Sequence, residues 1–276
     1  MKTIFITGAS TGLGKATAKL FASRGWHVIA TMRKPENEKE LNLIDNISLL
    51  PLDVTNLVQI KDMVQKAISL ADIDVVFNNA GYGLIGPLES TTDDQLVRQL
   101  NTNILGVIRV TQAFIPYFRE KLSGLFISTT SIGGLITFPF SSVYHASKWA
   151  LEGWSESMAF ELNKIGVGIK TISPGGIKTD FVHRSLDVSS HPAYEKWVEK
   201  LYEGFHEDQF STAEQIAAVV YEAATDGRDK LRYVAGEDAK ALYALRLQNG
   251  DESFRKQIEQ TFFGKLNDLT LQSETR

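Results

Sequence analysis

The chain has 276 residues, 43% of them hydrophobic, a formal net charge of −4 and no cysteine. This size and apolar content suffice for one large folded domain, the acidic balance argues against nucleic acid as a partner, and the lack of thiols excludes disulfides and thiolate metal sites. No run of about 18 apolar residues occurs and the start, "MKTIFITGAS", does not have the pattern of a secretory signal, so we expect a cytoplasmic protein without a membrane span.

The first two thirds of the sequence alternate between short apolar runs and amphipathic segments. The runs "KTIFITG", "HVIAT", "ISLLPLDVT", "IDVVFNNAG", "GLFISTTS" and "GVGIKTISPGG" are typical of buried strands. Helices are predicted after the first glycine cluster and over residues 57–70, 93–119 and 143–163. This alternation predicts an α/β fold, with a doubly wound parallel sheet of about seven strands and helices on both faces.

The pattern changes after Lys178. The stretch from about 180 to 212 is irregular and rich in aromatic residues, and the end, from about 250 to 276, is polar and charged. Because no repeat and no linker-like segment interrupts the chain, we expect a single domain over residues 1–276. We expect the 180–212 stretch to be a substrate lid and the last segment to be a polar C-terminal tail.

The first motif with chemical meaning is "TGASTGLG", between the first predicted strand and helix. Glycines there permit a tight turn and let the backbone approach a pyrophosphate at the helix N-terminus. The alternative is an ordinary glycine-rich turn. A phosphate-transfer loop is excluded, because Ala16 stands where that motif needs a hydroxyl for magnesium.

Four further motifs follow in order: "NNAG", a serine (Ser131) thirteen residues before Tyr144, "YHASK" and "SPGGIKTDF". Over residues 3–182 the sequence resembles the classical short-chain dehydrogenase/reductase family. The segments "VIATMRKPE" and "SESMAFEL" are similar to its branch near the 17β-hydroxysteroid and retinol dehydrogenases. The resemblance implies a Rossmann fold and an oxidoreductase that uses a nicotinamide cofactor.

The resemblance also assigns catalytic roles. Tyr144 is the expected general acid–base, and Lys148 lies four residues later on the same helix face, where its ammonium should lower the phenol pKa. Ser131 is expected to hold the substrate oxygen. Asn103 is expected to position a water behind the lysine, although a buried amide bonded to backbone is the alternative. His145 is interpreted as a bystander, and no metal site is expected.

The cofactor is expected to be NADP(H) rather than NAD(H). Met32 stands where NAD-preferring relatives place an acid, and Arg33 follows it at a position associated with the 2′-phosphate. The resemblance assigns the remaining cofactor contacts to Gly8, Ser10, Thr11, Gly12, Leu13, Gly14, Asp53, Val54, Asn79, Gly81, Pro174, Ile177 and Thr179, together with Tyr144 and Lys148.

The expected substrate is a hydrophobic ketone, aldehyde or secondary alcohol, as for a carbonyl reductase, because the lid supplies Phe181, Trp197, Tyr202 and Phe205. Those rings could instead only pack the lid. A non-catalytic dinucleotide sensor, an NAD-dependent alcohol dehydrogenase and a nucleotide-sugar epimerase remain as alternatives. A homodimer or homotetramer is a family expectation, through helices near residues 100–120 and 147–163.

Overall fold

The computed structural model describes residues 1–178, 186–204 and 207–264. The strands are β1 (Thr3–Ile6), β2 (His27–Met32), β3 (Ile47–Pro51), β4 (Val75–Asn78), β5 (Gly83–Ile85), β6 (Gly124–Thr129), β7 (Val167–Pro174), β8 (Ile177–Lys178), β9 (Leu186–Val188), β10 (Ser211–Thr212) and β11 (Arg232–Ala235). The helices are α1 (Gly12–Ser23), α2 (Leu57–Leu70), α3 (Asp93–Leu100), α4 (Gly106–Lys121), α5 (Ser142–Leu162), α6 (Glu195–Glu203), α7 (Ala213–Thr225), α8 (Glu237–Asn249) and α9 (Asp251–Phe263).

Seven strands form one sheet in the order β11-β7-β6-β4-β1-β2-β3, and every pair in it is parallel. The order reverses direction between β1 and β4, and in open sheets of this kind ligands bind at the carboxyl ends beside that point. The prediction of a single-domain Rossmann fold with about seven parallel strands is confirmed.

Alternate residues of each central strand supply the two halves of the core. In β1, Ile4 and Ile6 face a cluster that includes α1 and α7, whereas Phe5 faces a second cluster built with α2 and α4. All three side chains are fully buried. The two-residue period of a strand therefore explains why a nearly continuous apolar run covers both faces of the sheet.

The predicted helix over 93–119 is interrupted. Asn101–Leu105 forms a π-helical turn between α3 and α4, and it begins where α3 ends without a break in chain direction. Such a turn widens the helix by one residue and often lies at a functional site. Hydrophobic periodicity alone does not reveal it, because the apolar spacing continues on both sides.

The C-terminal part differs from the expected polar tail. Residues 251–263 form α9, whose Phe254 and Phe262 are buried. These two phenylalanines and Ile258 recur every four residues, which places them on one helix face. Among the described residues, no helix combines the length and hydropathy that a membrane crossing requires.

Candidate active site

The predicted site residues meet at the carboxyl edge of the sheet. β1 leads into the glycine turn, β4 into the "NNAG" segment, β6 into Ser131, and β7 into Pro174 at its last position. Because the strands are parallel and adjacent, four loops that are distant in sequence converge at one edge. The residues around Tyr144 and the glycine turn thus belong to one continuous region.

The glycine turn packs directly against the loop after β4. Gly8 has φ of +69°, and a Cβ there would lie 2.8 Å from Ala80 Cα. A Cβ at Gly14 would lie 2.2 Å from the Gly8 carbonyl oxygen. Side chains at these two positions would force the backbone apart, so the glycines are required for the turn that opens α1.

Asn79 braces this turn. Its Nδ2 donates to the backbone oxygens of Thr7 and Gly8, at 3.2 and 3.1 Å, and its Oδ1 accepts from Thr129 Oγ1 at 3.2 Å. Thr7 Oγ1 in turn accepts from the backbone N–H groups of Asn79 and Ala80. The Asn79 side chain therefore ties three strands together, which gives it a structural task beside the expected cofactor contact.

Four consecutive hydroxyl residues, 128–131, lie at the end of β6 and directly after it, and they differ in their hydrogen-bond partners. Ser128 is buried within the strand; Thr130 Oγ1 contacts the buried Glu152 carboxylate at 2.5 Å, and Thr129 bonds Asn79. Ser131 Oγ accepts from the Gly133 N–H at 3.0 Å and also hydrogen-bonds Tyr144. The thirteen-residue spacing therefore selects the hydroxyl that lies against the tyrosine.

Tyr144 and Lys148 share the inward face of α5, as their spacing predicts. The Lys148 Nζ lies 5.8 Å from the Tyr144 ring centroid and donates to the Thr129 carbonyl oxygen at 2.9 Å. Burial lowers the pKa of Lys148 to about 8. The negative charge of Glu152 opposes this decrease. Burial raises the pKa of Tyr144 and the Ser131 hydrogen bond opposes that rise only partly, so the net shift is opposite in direction to the decrease expected from the lysine.

Asn103 lies in the π-helical turn and is buried. Its Oδ1 accepts from the Tyr82 N–H at 3.1 Å, while its Nδ2 donates to the Tyr82 oxygen at 2.9 Å and contacts Ser147 Oγ at 3.2 Å. A Cβ at Gly81 would lie 3.1 Å from Asn103 Oδ1 and 3.8 Å from Lys148 Nζ. The side chain is thus bonded to backbone, as the alternative interpretation holds, and it also lies beside the lysine.

A cavity of about 510 Å³ lies beyond the glycine turn and β2. It is lined by Ser10, Thr11, Met32, Arg33, Lys34, Asn37 and Glu38. Arg33 and Lys34 are exposed to solvent there. The cavity therefore brings together the residues predicted at the adenosine end of a dinucleotide, with two cations beside two hydroxyls.

The acidic side chain in this cavity, Glu38, is already stabilised by hydrogen bonds and an ion pair. Glu38 Oε1 accepts from the backbone N–H groups of Glu40 and Leu41 and from Lys15 Nζ, which is 3.1 Å away. Burial raises the pKa of Glu38, but these hydrogen bonds outweigh that effect and hold the pKa below its ordinary value. Glu38 is thus an ionised group already paired with a cation, and it leaves the charges of Arg33 and Lys34 available to an anion.

The remaining cofactor positions flank the same edge. Asp53 Oδ1 accepts from the Thr55 N–H and hydroxyl, and Val54 packs against Gly106 at the start of α4. Ile177 is half-buried in β8, which pairs with β10. Thr179, Phe181 and Phe205 lie outside the described residues.

Two aromatic residues of α9 that were not predicted near the site, Phe262 and Phe263, pack against Phe138 and Trp197. Trp197 packs edge-on against Phe263 at 5.2 Å, and Phe138 packs against Phe262 at 6.0 Å. Tyr202, expected in the lining, is 43% exposed. The repeat of aromatic and aliphatic residues in α9 is the signal that could have identified this contribution.

No cluster of histidine or carboxylate side chains with the geometry of a metal site occurs among the described residues. The buried Glu152 is engaged instead by Arg232 Nε, at 2.8 Å, and by the hydroxyls of Thr130, Thr171 and Ser173. This network ties α5 to β6, β7 and β11. It fixes the helix that carries Tyr144 and Lys148 against the sheet.

Comparison with known proteins agrees with this arrangement. The family model for short chain dehydrogenases matches residues 2–189. An uncharacterized oxidoreductase of Schizosaccharomyces pombe is 40% identical over 235 residues, which cover 82% of this chain and 99% of the yeast protein. A short-chain dehydrogenase structure from Streptomyces avermitilis matches with a TM-score of 0.83 and 30% identity over 98% of both chains.

A second solved structure, ElxO with NADP bound, matches with a TM-score of 0.75 and 26% identity over 87% of this chain and 99% of that chain. The family model covers more than half of the chain, and the seven-stranded parallel sheet agrees with it. The chain belongs to the short-chain dehydrogenase family and is an oxidoreductase built on a nicotinamide-dinucleotide-binding Rossmann fold.

Proposed function

We propose that this protein is an NADP(H)-dependent oxidoreductase that interconverts a hydrophobic carbonyl compound and the corresponding alcohol, with Tyr144 as the general acid–base. The observation that carries the proposal is the convergence of Ser131, Tyr144 and Lys148 at the carboxyl edge of the sheet. Ser131 follows the end of β6, and Tyr144 lies on the inward face of α5. Lys148 donates a hydrogen bond to a backbone carbonyl oxygen.

The chemistry of the three groups is complementary. Reduced nicotinamide, bound at this edge, would supply a hydride to the carbonyl carbon. Ser131 Oγ accepts from Gly133, and its own proton, which faces the Tyr144 oxygen here, would turn to a bound carbonyl oxygen, where negative charge develops. The Tyr144 phenol is protonated at neutral pH, as a proton donor to that oxygen must be, and burial raises its pKa and so makes it a weaker acid than a free phenol. The Lys148 ammonium, 5.8 Å from the ring, then stabilises the phenolate.

The preference for the phosphorylated cofactor is supported by charge. The cavity beside β2 presents the cations of Arg33 and Lys34. Met32 stands where an acid would bind an unmodified ribose, and the acid of the cavity, Glu38, is already in an ion pair. ElxO, a structural relative, was solved with NADP bound. We therefore expect NADPH to be preferred over NADH.

The substrate class is supported by the aromatic side chains beside the site. Phe138, Phe262, Trp197 and Phe263 form ring contacts over the loop that follows Ser131 and over α9. An apolar ketone, aldehyde or secondary alcohol gains most from such a lining. The lid expected over 180–212 is partly outside the described residues, and α6 lies within it.

Self-association is proposed separately. Leu105, before α4, and Phe160, on α5, are 37% and 73% exposed. A second copy of the chain packed on these helices would cover both side chains and form a homodimer or homotetramer. Light scattering on the purified protein measures the mass directly, and a monomer at micromolar concentration would contradict this proposal.

The test of the proposed function is the consumption of NADPH with a panel of aromatic ketones, aldehydes and bulky apolar ketones, repeated with NADH. The expected result is turnover that depends on the carbonyl compound and is at least about tenfold more efficient with NADPH. Tight NADPH binding without consumption in the presence of any compound would favour the dinucleotide-sensor alternative. Product formation without a net change in NADPH would favour an epimerase.

A further inference from the structure

His145 directly follows Tyr144 in α5 and is 4% exposed. Its Nδ1 lies 2.7 Å from the Gly133 carbonyl oxygen, and its Nε2 lies 2.8 Å from the backbone nitrogen of Phe138. A carbonyl oxygen can only accept and a backbone N–H can only donate. The ring must therefore be neutral, with its proton on Nδ1 and a lone pair on Nε2. Burial lowers the pKa of His145, which is consistent with that neutral form.

One end of this bridge reaches the catalytic serine through a single glycine. Gly133 donates its N–H to Ser131 Oγ at 3.0 Å and offers its carbonyl oxygen to His145. A Cβ at Gly133 would lie 2.8 Å from His145 Nδ1 and 3.3 Å from Ser131 Oγ. Gly133 is thus packed between the two side chains, and a shift of the imidazole would move the group that orients the Ser131 hydroxyl.

The other end of the bridge fixes the far side of the same loop. Phe138 donates its N–H to His145, and its ring lies 6.0 Å from both the His145 and the Phe262 rings. The imidazole therefore joins both ends of the 132–138 loop to α5. Because Tyr144 is the neighbouring residue on that helix, the ring sets the position of Ser131 relative to the phenol.

We propose that His145 is a positioning residue for the reaction: as the neutral Nδ1–H tautomer it holds Gly133, and through Gly133 the Ser131 hydroxyl, against Tyr144. This inference rests on the proposed function of Ser131 and Tyr144. It replaces the interpretation of His145 as a bystander. A residue that merely filled space in α5 would not need one donor and one acceptor aimed at opposite ends of a loop.

Two substitutions separate positioning from packing. His145→Gln keeps one donor and one acceptor on a side chain of similar reach, whereas His145→Met fills the space without either. With the best carbonyl substrate, His145→Met is expected to lower kcat about tenfold or more, the scale of disturbing one oxyanion donor, while the Kd for NADPH stays within about twofold. His145→Gln is expected to recover most of that loss.

Three results would overturn the proposal. The first is a kcat for His145→Met within about twofold of the wild type. The second is His145→Gln as impaired as His145→Met, which would mean that ring shape alone matters. Equal losses of kcat and NADPH affinity in both variants would also overturn it, because they would indicate general disruption of the fold.

A second measurement does not depend on turnover. Two-bond ¹H–¹⁵N correlation spectra of the wild-type protein distinguish the two neutral imidazole tautomers, and the resonance is assigned by its loss in His145→Gln. A proton on Nδ1 is expected; a proton on Nε2 would overturn the proposal. This result stands even if no carbonyl compound is turned over, so that failure of the proposed function remains distinguishable from failure of the inference.

Discussion

We expect the buried charge of Lys148 to lower the free energy of unfolding. Replacing Lys148 with an uncharged residue tests this expectation. The lysine is buried and its pKa lies at about 8, against an ordinary value of 10.5. That difference of about 2.5 pKa units corresponds to roughly 3 kcal/mol disfavouring the charged form in the folded protein. The Lys148→Met substitution keeps the aliphatic stem and removes the ammonium, so it removes this unfavourable contribution at pH 7.

The substitution also removes the hydrogen bond from Nζ to the Thr129 carbonyl oxygen. A hydrogen bond from a charged donor contributes about 1.5–3 kcal/mol, and the half-buried Thr129 can be partly satisfied by water. We therefore expect Lys148→Met to increase the free energy of unfolding by about 1 kcal/mol at pH 7, while it abolishes turnover.

The free energy of unfolding should depend on pH through Lys148, and the sign of this dependence follows from its lowered pKa. Between pH 8 and about 10.5 the unfolded chain binds the Lys148 proton more tightly than the folded protein does, so the free energy of unfolding contributed by this group rises with pH. The unfavourable contribution is fully present below pH 8 and is relieved above it. The advantage of Lys148→Met at pH 7 should thus fall as pH rises and should reverse in sign before pH 10.

The assay is urea unfolding of both proteins at several pH values, with Lys170→Met as a matched control. Lys170 is also buried, but its Nζ lies 2.7 Å from Asp226 Oδ1. Removing it leaves a carboxylate without its cation and should destabilise the fold by about 3–5 kcal/mol. Destabilisation of Lys148→Met by more than about 1 kcal/mol at pH 7 would refute the reasoning, because the hydrogen bond would then outweigh desolvation.

Three further predictions concern cofactor and pH. Arg33→Ala should raise the KM for NADPH about tenfold and spare NADH; equal losses on both cofactors would show a structural role. Gly14→Ala should abolish NADPH binding measured by fluorescence, because a Cβ would lie 2.2 Å from a backbone oxygen, whereas Gly153→Ala, on α5 with open space around it, should bind normally. The kcat/KM for carbonyl reduction should fall as pH rises through about 8, where Lys148 loses its proton in the free enzyme; a flat profile from pH 7 to 9 would contradict this.

Much of the fold followed from local patterns. The six named strands and the helix over 57–70 occur where apolar runs and helical spacing indicated them, since each element buries one face or two against a continuous core. β11 was not located, because "RYVA" is short and becomes recognisable as a strand only when it pairs with β7. α9 was not located, because charged residues dominate its composition.

The site shows the same division. The order and spacing of the motifs placed Ser131, Tyr144 and Lys148 together, and in the structure Ser131 and Lys148 both lie near Tyr144. The task of His145 could not be read from the sequence, since it depends on two backbone groups, at Gly133 and Phe138, that the fold alone brings to the ring. The direction of the Tyr144 pKa shift depended equally on tertiary structure: the sequence showed a nearby lysine but not the burial of the phenol.

The central claim is that Tyr144 transfers the proton, and a single comparison tests it most directly. Turnover of the best carbonyl substrate and the Kd for NADPH should be measured side by side for the wild type and Tyr144→Phe. We expect kcat to fall by about a hundredfold or more while the Kd changes by less than about twofold, because the phenol acts in the transition state. Undiminished turnover by Tyr144→Phe would contradict the account and remove Tyr144 from the chemistry.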